Sequence, residues 1–309
     1  MLSYIAYKLS GSLFVIATVV VVTFFVSRSV GDPVRQMLPP FAEKEQFDQL
    51  RHNLELDRPA LTQFKDFLGG AIRGDLGDSL WQNRSVTTII RERIPATLLL
   101  GVTSLVLSFV IAIPLGVASA VWRGSWLDRG AMVMSIGSIS MPSFWLGIML
   151  ILVFAVWLDL LPTSGSGSWK HVIMPAITVA ALPTGRITQM VRSAMMDILI
   201  QQYVVTARSK GLTERVVVMR HAFRNAAIPV VTVAGWEVAR VLAGGVVIVE
   251  TVFAWPGIGL LTIQALREYD FPLVQATIML QAAVIVVVNL GIDLSYLVVD
   301  PRLRRGHAS

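Results

Sequence analysis

Six long runs of apolar residues, separated by polar stretches, organise the chain. They lie at about Leu9–Val26, Thr97–Trp122, Ala131–Trp157, Val172–Val191, Ile228–Val249 and Pro272–Val298. Crossing a hydrocarbon core takes roughly 20 apolar residues in a helix, and inside lipid each segment has to satisfy its own backbone polar groups. The pattern therefore predicts an all-α integral membrane protein with six transmembrane helices. Pro114, Pro142, Pro175 and Pro183 lie in or near these runs and predict kinks, with neighbouring helices re-satisfying the freed carbonyls.

Between the first two runs, residues 28–94 are polar. The stretch FKDFLGGAIRGDLGDSLW reads as a short helix followed by turns, within a small extracytoplasmic subdomain. The chain then divides into a first transmembrane helix (1–27), this loop subdomain (28–94), a transmembrane domain (95–299) and a cytoplasmic tail (300–309).

Composition strengthens the membrane reading. Of 309 residues, 54% are hydrophobic and only 15% charged, with a mean hydropathy of +0.67. Soluble domains are about a quarter charged. The net charge of +6 sits beside apolar runs and forms no stripe with interleaved aromatics, so no nucleic-acid partner is expected. Lys8 precedes an uncharged run to Val26 that ends in Ser27-Arg28-Ser29. A secretion signal has a core of about 7–15 residues and a small-residue cleavage site, so this run reads as a retained first span.

Lys and Arg in short loops set the orientation. Lys8, Arg123, Arg129, the basic stretch around residue 210, and Arg302, Arg304 and Arg305 fall on one side; Lys170 and Arg267 fall on the other. Both termini are expected in the cytoplasm and the loop from Arg28 to Arg93 outside.

Catalytic chemistry finds no footing. Cysteine is absent, which removes disulfides, thiolate metal sites and Cys nucleophiles. There is no phosphate-cradling G-x-x-x-x-G-K-[ST] and no H-E-x-x-H, and His52, His171, His221 and His307 are scattered. The Ser164–Ser168 stretch SGSGS is not a nucleophile elbow and reads as a flexible loop. No catalytic, cofactor or metal site is expected.

Polar residues inside the spans are costly and need a role. Glu237 and Arg240, three apart, share a helix face and are either a structural ion pair or part of a polar path. Gly244-Gly245 either lets helices approach closely or loosens the helix. Asn289 and Asp293, four apart, read as helix–helix hydrogen bonding, with Asn289 also a candidate for the path.

The segment YVVTARSKGLTERVVVMRHAFRN, Tyr203–Asn225, is basic yet lies between apolar runs. From Asp197 to Lys210 it reads as a helix continuing out of the fourth span. Gly211 ends that helix in the left-handed conformation. Thr213 then caps a second helix with Glu214 in its first turn. So short an amphipathic helix needs something to pack on. Either it lies on anionic lipid, or it enters a groove of a cytoplasmic partner.

TARSKGLTERVVVMRHAFRNAAIPVVT resembles the cytoplasmic loop of binding-protein-dependent ABC importer permeases, specifically the dipeptide/oligopeptide/nickel group. So do GDP at Gly31–Pro33, LDRP at Leu56–Pro59, GDLGDS at Gly74–Ser79, RIPATLLL at Arg93–Leu100, MPSFWLGIML from Met141, VETVFAWPGIG from Val249 and DPRLRR from Asp300. The resemblance covers nearly the whole chain in order, and its long outer loop is similar to a B-type member of a heterodimeric pair. Val205-Thr206-Ala207 departs from the Glu-Ala-Ala of the broader importer loop, and His221–Asn225 from its I-x-L-P; both departures narrow the match to the peptide group.

The resemblance implies a type I importer permease fold in a bacterial cytoplasmic (inner) membrane. It also implies a coupling segment, residues 197–227, that docks in a groove of an ATPase subunit through Thr206, Ala207, Lys210, Gly211, Leu212, Arg215, Arg220, His221 and Asn225. The implied partners are a second homologous permease, two ABC ATPase subunits that bind ATP and Mg, an extracytoplasmic solute-binding protein and membrane lipid. The implied activity is import of di- or oligopeptides by alternating access. Nickel or metal-chelate import and glutathione-type import are the alternatives within the family. A stand-alone secondary transporter is the rival class, but it predicts an internal repeat that the sequence does not display.

Overall fold

The computed structural model describes residues 2–30, 34, 38–39 and 41–299, with side chains at 10–27, 34, 38–39, 41–227 and 229–292. The GDP and DPRLRR motifs, the tail, and the side chains of Lys8, Arg28 and Asp293 lie outside the described residues. The chain forms two units, residues 1–97 with 256–286 and residues 98–255 with 287–309.

In the first unit, helix α1 (Leu2–Val30) is 29 residues long, which at 1.5 Å per residue is ~44 Å. Its apolar stretch Ser10–Ser27 leaves Leu13, Phe14 and Val22 exposed, as a lipid-facing helix does. Phe24 is fully buried, with its ring 5.0 Å from Phe64 and 6.0 Å from Phe67. Both partners lie on α3 (Ala60–Arg73), which follows α2 (Lys44–Asn53). The loop subdomain thus holds two helices where the sequence reading expected one. The LDRP motif is the corner between them: Arg58 pairs with Glu55 and Asp66, and Asp57 with His52.

The GDLGDS motif makes the next turn. Gly74 and Gly77 have positive φ, 80° and 78°, and the Asp75 carboxylate accepts the Gly77 amide at 3.0 Å. Ser79 donates its hydroxyl to the buried Asp270, which also accepts the Trp81 amide. Asp270 stands just ahead of α13 (Phe271–Val299), after α12 (Ile258–Arg267). Val86, Ile89 and Ile90, opening α4 (Val86–Val121), pack on Ile258, Leu261, Leu273 and Val274. Thr97 Oγ1 accepts the Ile258 amide at 2.7 Å and so caps α12 from a distant part of the chain.

In the second unit, α5 (Trp126–Ser140) and α6 (Ser143–Trp157) meet at 107°. The third apolar run is therefore bent where Pro142 predicts a kink, and sharply enough to break the helix in two. Pro142 has no amide and holds Met141 extended, at φ −82° and ψ 127°. Pro114, Pro175 and Pro183, by contrast, sit inside unbroken helices.

The fourth run lies within α7 (Lys170–Leu199), which at 30 residues is long enough to span. It is not among the segments apolar enough to qualify by hydropathy, because it carries Arg186 and Arg192. Neighbours cross it closely: a Cβ on Gly116 would lie 2.8 Å from Thr188 O, and one on Gly185 would lie 2.6 Å from Ser135 O. Ile187, Val191 and Met195 join Ala112, Ala120, Val218, Ala222 and Val230 in one buried cluster.

The fifth run begins at a 57° bend between α9 (Glu214–Ala227) and α10 (Pro229–Gly245), and α11 (Val247–Val252) follows. Gly165 in the SGSGS loop is tied to the chain by its amide, which donates to Phe253 O at 2.9 Å. Among the described residues, three helices are long and apolar enough to cross a membrane, or up to five spans if each bent pair is one span.

Candidate functional site

The basic segment folds as an elbow. The sequence reading ran one helix from α7 to Lys210; the structure breaks it, with α7 ending at Leu199 and Gln201 extended at ψ 145°. Neither Gly nor Pro marks that break. A new helix, α8 (Gln202–Ser209), then runs to Lys210. Gly211 follows at φ 77°, with open space where a Cβ would stand. Conformation, not crowding, requires glycine there.

Thr213 takes the N-cap position of α9, but its side chain makes no cap hydrogen bond. Glu214 instead receives a two-pronged bond from Arg208, Nη2 to Oε1 at 2.6 Å and Nε to Oε2 at 3.2 Å, across the turn. This bond pushes the Arg208 guanidinium further above its ordinary range. On the inside, Val204, Ala207 and Val217 are buried against one another. Asn225 closes the far side, donating to the Tyr203 hydroxyl at 3.0 Å and to His221 O at 2.9 Å.

Over Val217–Phe223 the helix widens to i→i+5 bonding, a form frequent at functional sites. Leu212, Val216 and Met219 remain exposed, with Lys210, Arg215, Arg220 and Arg224 exposed around them. Of the expected docking residues, Thr206, Lys210, Leu212, Arg215, Arg220 and Asn225 are exposed and His221 is half-buried; Ala207 is internal and supports the fold of the elbow. Tyr203 belongs with them and was missed, because its partner lies 22 residues away.

The candidate path residues form a different group from the one expected. Glu237 is only 3% exposed, and its carboxylate is shared. Oε2 accepts from Arg240 Nε at 2.8 Å on its own helix, and Oε1 accepts from Arg186 Nη1 at 2.9 Å on α7. The pair is thus a triad. Gly244 leaves the helical region at φ 127°, so the glycine pair is a break. A Cβ on Gly245 would lie 3.4 Å from Arg240 Nη1 and 2.7 Å from its carbonyl. Asn289 is exposed on α13 and has no described hydrogen bond to the triad.

The buried carboxylate of Asp128 was also missed. Asp128, in the first turn of α5, accepts from Arg192 on α7 at 2.6 and 3.0 Å, from the Gly124 amide at 2.9 Å, and from the Ser119 hydroxyl on α4. It ties three helices together. Among the described residues, no group of three His, Asp or Glu side chains is placed to hold a metal ion.

Residues 112–305 match the family described as binding-protein-dependent transport system inner membrane component, and residues 1–101 match the N-terminal family of the same membrane components. The chain is 38% identical over 307 residues to the glutathione transport system permease protein GsiC of Escherichia coli strain K12, covering 98% of this chain and 99% of that protein. The GsiC proteins of Shigella dysenteriae serotype 1 and Shigella boydii serotype 4 match with the same identity and coverage. In three dimensions the chain resembles the inward-facing MetNI methionine ABC transporter, with a TM-score of 0.59 at 20% identity over 69% of this chain and 96% of that one, a likeness of fold. The chain belongs to the binding-protein-dependent transport system inner membrane component family, as a multi-pass permease subunit of an ABC importer and not an enzyme.

Proposed function

We propose that this subunit pairs with a second, related permease to import small peptides across the cytoplasmic membrane, and that its elbow receives the power stroke of two ATPase subunits. The GsiC relatives are glutathione transport permeases, and glutathione is itself a small peptide. The observation that carries the coupling role is the exposed apolar set Leu212, Val216 and Met219 rimmed by Lys210, Arg215 and Arg220. An apolar anchor inside a charged rim suits a groove with an acidic edge. The ion pair and hydrogen bond across the turn make the elbow stiff enough to pass on a push.

Both termini and the elbow face the cytoplasm in this reading, with the loop subdomain outside, as the Lys and Arg distribution supports. A binding protein delivers peptide to the outer side. Closure of the ATPases on ATP moves the elbow, and α7 and α10 swing with it. Glu237, Arg240 and Gly244 then line the path, since intramembrane ionisable groups face a bundle interior or a water-filled cavity.

The test is uptake and ATPase activity of the reconstituted complex carrying Gly211→Pro or Ala207→Asp. Proline cannot adopt the φ of 77° at residue 211. Uptake is expected to fall below a tenth of wild type while the variants still insert and assemble. Undiminished uptake and substrate-stimulated ATPase in both variants overturn the assignment.

A further inference from the structure

Arg186, Glu237 and Arg240 carry two positive charges and one negative, an excess of +1 in the middle of two helices that pack together. A purely structural ion pair has no use for that excess, and an uncompensated charge at this depth is costly. The donors are also unequally used. Each Glu237 oxygen accepts from a different arginine, so the one carboxylate is divided between two guanidinium groups.

Arg240 Nη2, however, is buried without any hydrogen-bond partner. Arg186 is 46% exposed and Arg240 33%, against 3% for the carboxylate between them. The Arg240 guanidinium also lies beside the helix break, where Gly245 offers no Cβ to cover it. Two planar guanidinium groups with unused donors and a net positive charge describe a receptor for a planar anion, because a guanidinium matches a carboxylate in two-pronged geometry.

We propose that this triad is a transient site for the carboxylate of the imported solute. Arg186 is the specificity-determining residue that releases Glu237 to hold the solute, and Arg240 supplies the unsatisfied donor. The inference rests on the path reading above. Glu237 keeps both guanidinium groups in place while the site is empty. An arriving carboxylate brings the local charge from +1 to zero, which favours entry of the anion; return of Glu237 to Arg186 favours its exit.

A carboxylate of the paired permease subunit would have the same chemistry, so the experiment separates the two sources. In this cysteine-free chain, Gln189→Cys places a thiol one turn from Arg186. Labelling of the assembled transporter is compared for an anionic sulfonate and a cationic trimethylammonium thiol reagent. The anionic reagent is expected to react at least tenfold faster, and Arg186→Gln is expected to abolish that preference. Trialanine and its C-terminal amide are then compared in uptake at saturating binding protein. Arg186→Gln is expected to reduce the trialanine-to-amide uptake ratio at least fivefold below wild type.

No reaction with either reagent removes the triad from the path and from solute binding alike. Reaction without charge preference means the paired subunit neutralises the site, and overturns the proposal. Charge preference with an unchanged uptake ratio leaves the path reading standing but overturns the carboxylate site. If the wild-type complex imports neither peptide, the peptide assignment fails; protection of the thiol by trialanine but not by its amide then decides the site, and equal or absent protection overturns it.

Discussion

Asn225 donates a hydrogen bond to the hydroxyl of Tyr203 at 3.0 Å, joining the two arms of the elbow on the side away from Gly211. Together with the Arg208–Glu214 pair it braces the elbow at two separate points. Tyr203→Phe removes one acceptor at an exposed position, which costs about 0.5–1.5 kcal/mol locally. Arg208→Ala removes the other brace. Each single variant is expected to retain most uptake, and the double variant to hydrolyse ATP with uptake reduced severalfold. Equal ATPase-to-uptake ratios in wild type and the double variant would show that bracing is not needed for coupling.

The triad also predicts how α10 tolerates substitution. Glu237→Ala leaves two guanidinium groups beside each other with no carboxylate, and breaking a buried pair costs about 3–5 kcal/mol. Glu237→Leu with Arg240→Met does not repair this, because Arg186 remains without its acceptor. Adding Arg186→Met is expected to restore expression and thermal stability of the purified complex, without restoring the trialanine preference. Recovery of stability in the double variant alone would mean Arg186 contributes nothing to the fold.

Asp128 carries a more varied set of donors than Glu237, with an arginine, an amide and a hydroxyl on it. Asp128→Ala leaves Arg192 unpaired between α4, α5 and α7, and is expected to destabilise by about 3–5 kcal/mol. The exchange Asp128→Arg with Arg192→Asp places the acid where the Gly124 amide cannot reach it, so only partial recovery is expected. Thermal unfolding of the complex in detergent checks both. Wild-type stability of Asp128→Ala contradicts the clamp.

The loop subdomain has a pH-dependent link. His52 and Asp57 are hydrogen-bonded at 2.8 Å; this bond raises the His52 pKa above its ordinary 6.5 and lowers that of Asp57 below its ordinary 3.8. The histidine contribution is complete below pH 6.5 and is lost as pH rises through the raised value. The aspartate contribution is present above pH 3.8 and is lost as pH falls through the lowered value. Protection of the Leu54 and Leu56 amides from hydrogen exchange, corrected for intrinsic rate, is expected to be greater at pH 6 than at pH 8.5. The same dependence in His52→Ala would contradict the link.

Orientation has a direct readout. Ser85 and Lys210 are both exposed. A cysteine at residue 85 is expected to react with an impermeant thiol reagent added outside intact cells, and one at residue 210 only after lysis. The opposite pattern reverses the topology.

Sequence patterning revealed what depends on local composition. The apolar runs became α1, α4 and α13, because an apolar stretch of 18 residues or more satisfies its backbone in lipid as a helix. Gly211 was legible because a left-handed residue after a helix is a local event. Glu237 and Arg240, three apart, were legible as a pair. Arg186 was not, at 51 residues from Glu237, nor was Arg192, at 64 from Asp128. Such partners are chosen by helix packing, which hydropathy does not encode. Pro142 marked the bend at Met141-Pro142, but not its size of 107°, because the residues on both sides are apolar. The break at Ile200-Gln201 was masked because its residues are ordinary helix formers. The expected cap by Thr213 failed because the Arg208–Glu214 pair and backbone bonding to the Thr213 carbonyl organise the turn instead.

The central claim is that the elbow is the contact through which ATP hydrolysis reaches this subunit. A photocrosslinking amino acid at Leu212, the exposed residue next to Gly211, tests it most directly in the assembled transporter. The account predicts a nucleotide-sensitive adduct with the mass of this chain plus one P-loop ATPase subunit. Adducts confined to lipid or to the paired permease would contradict it.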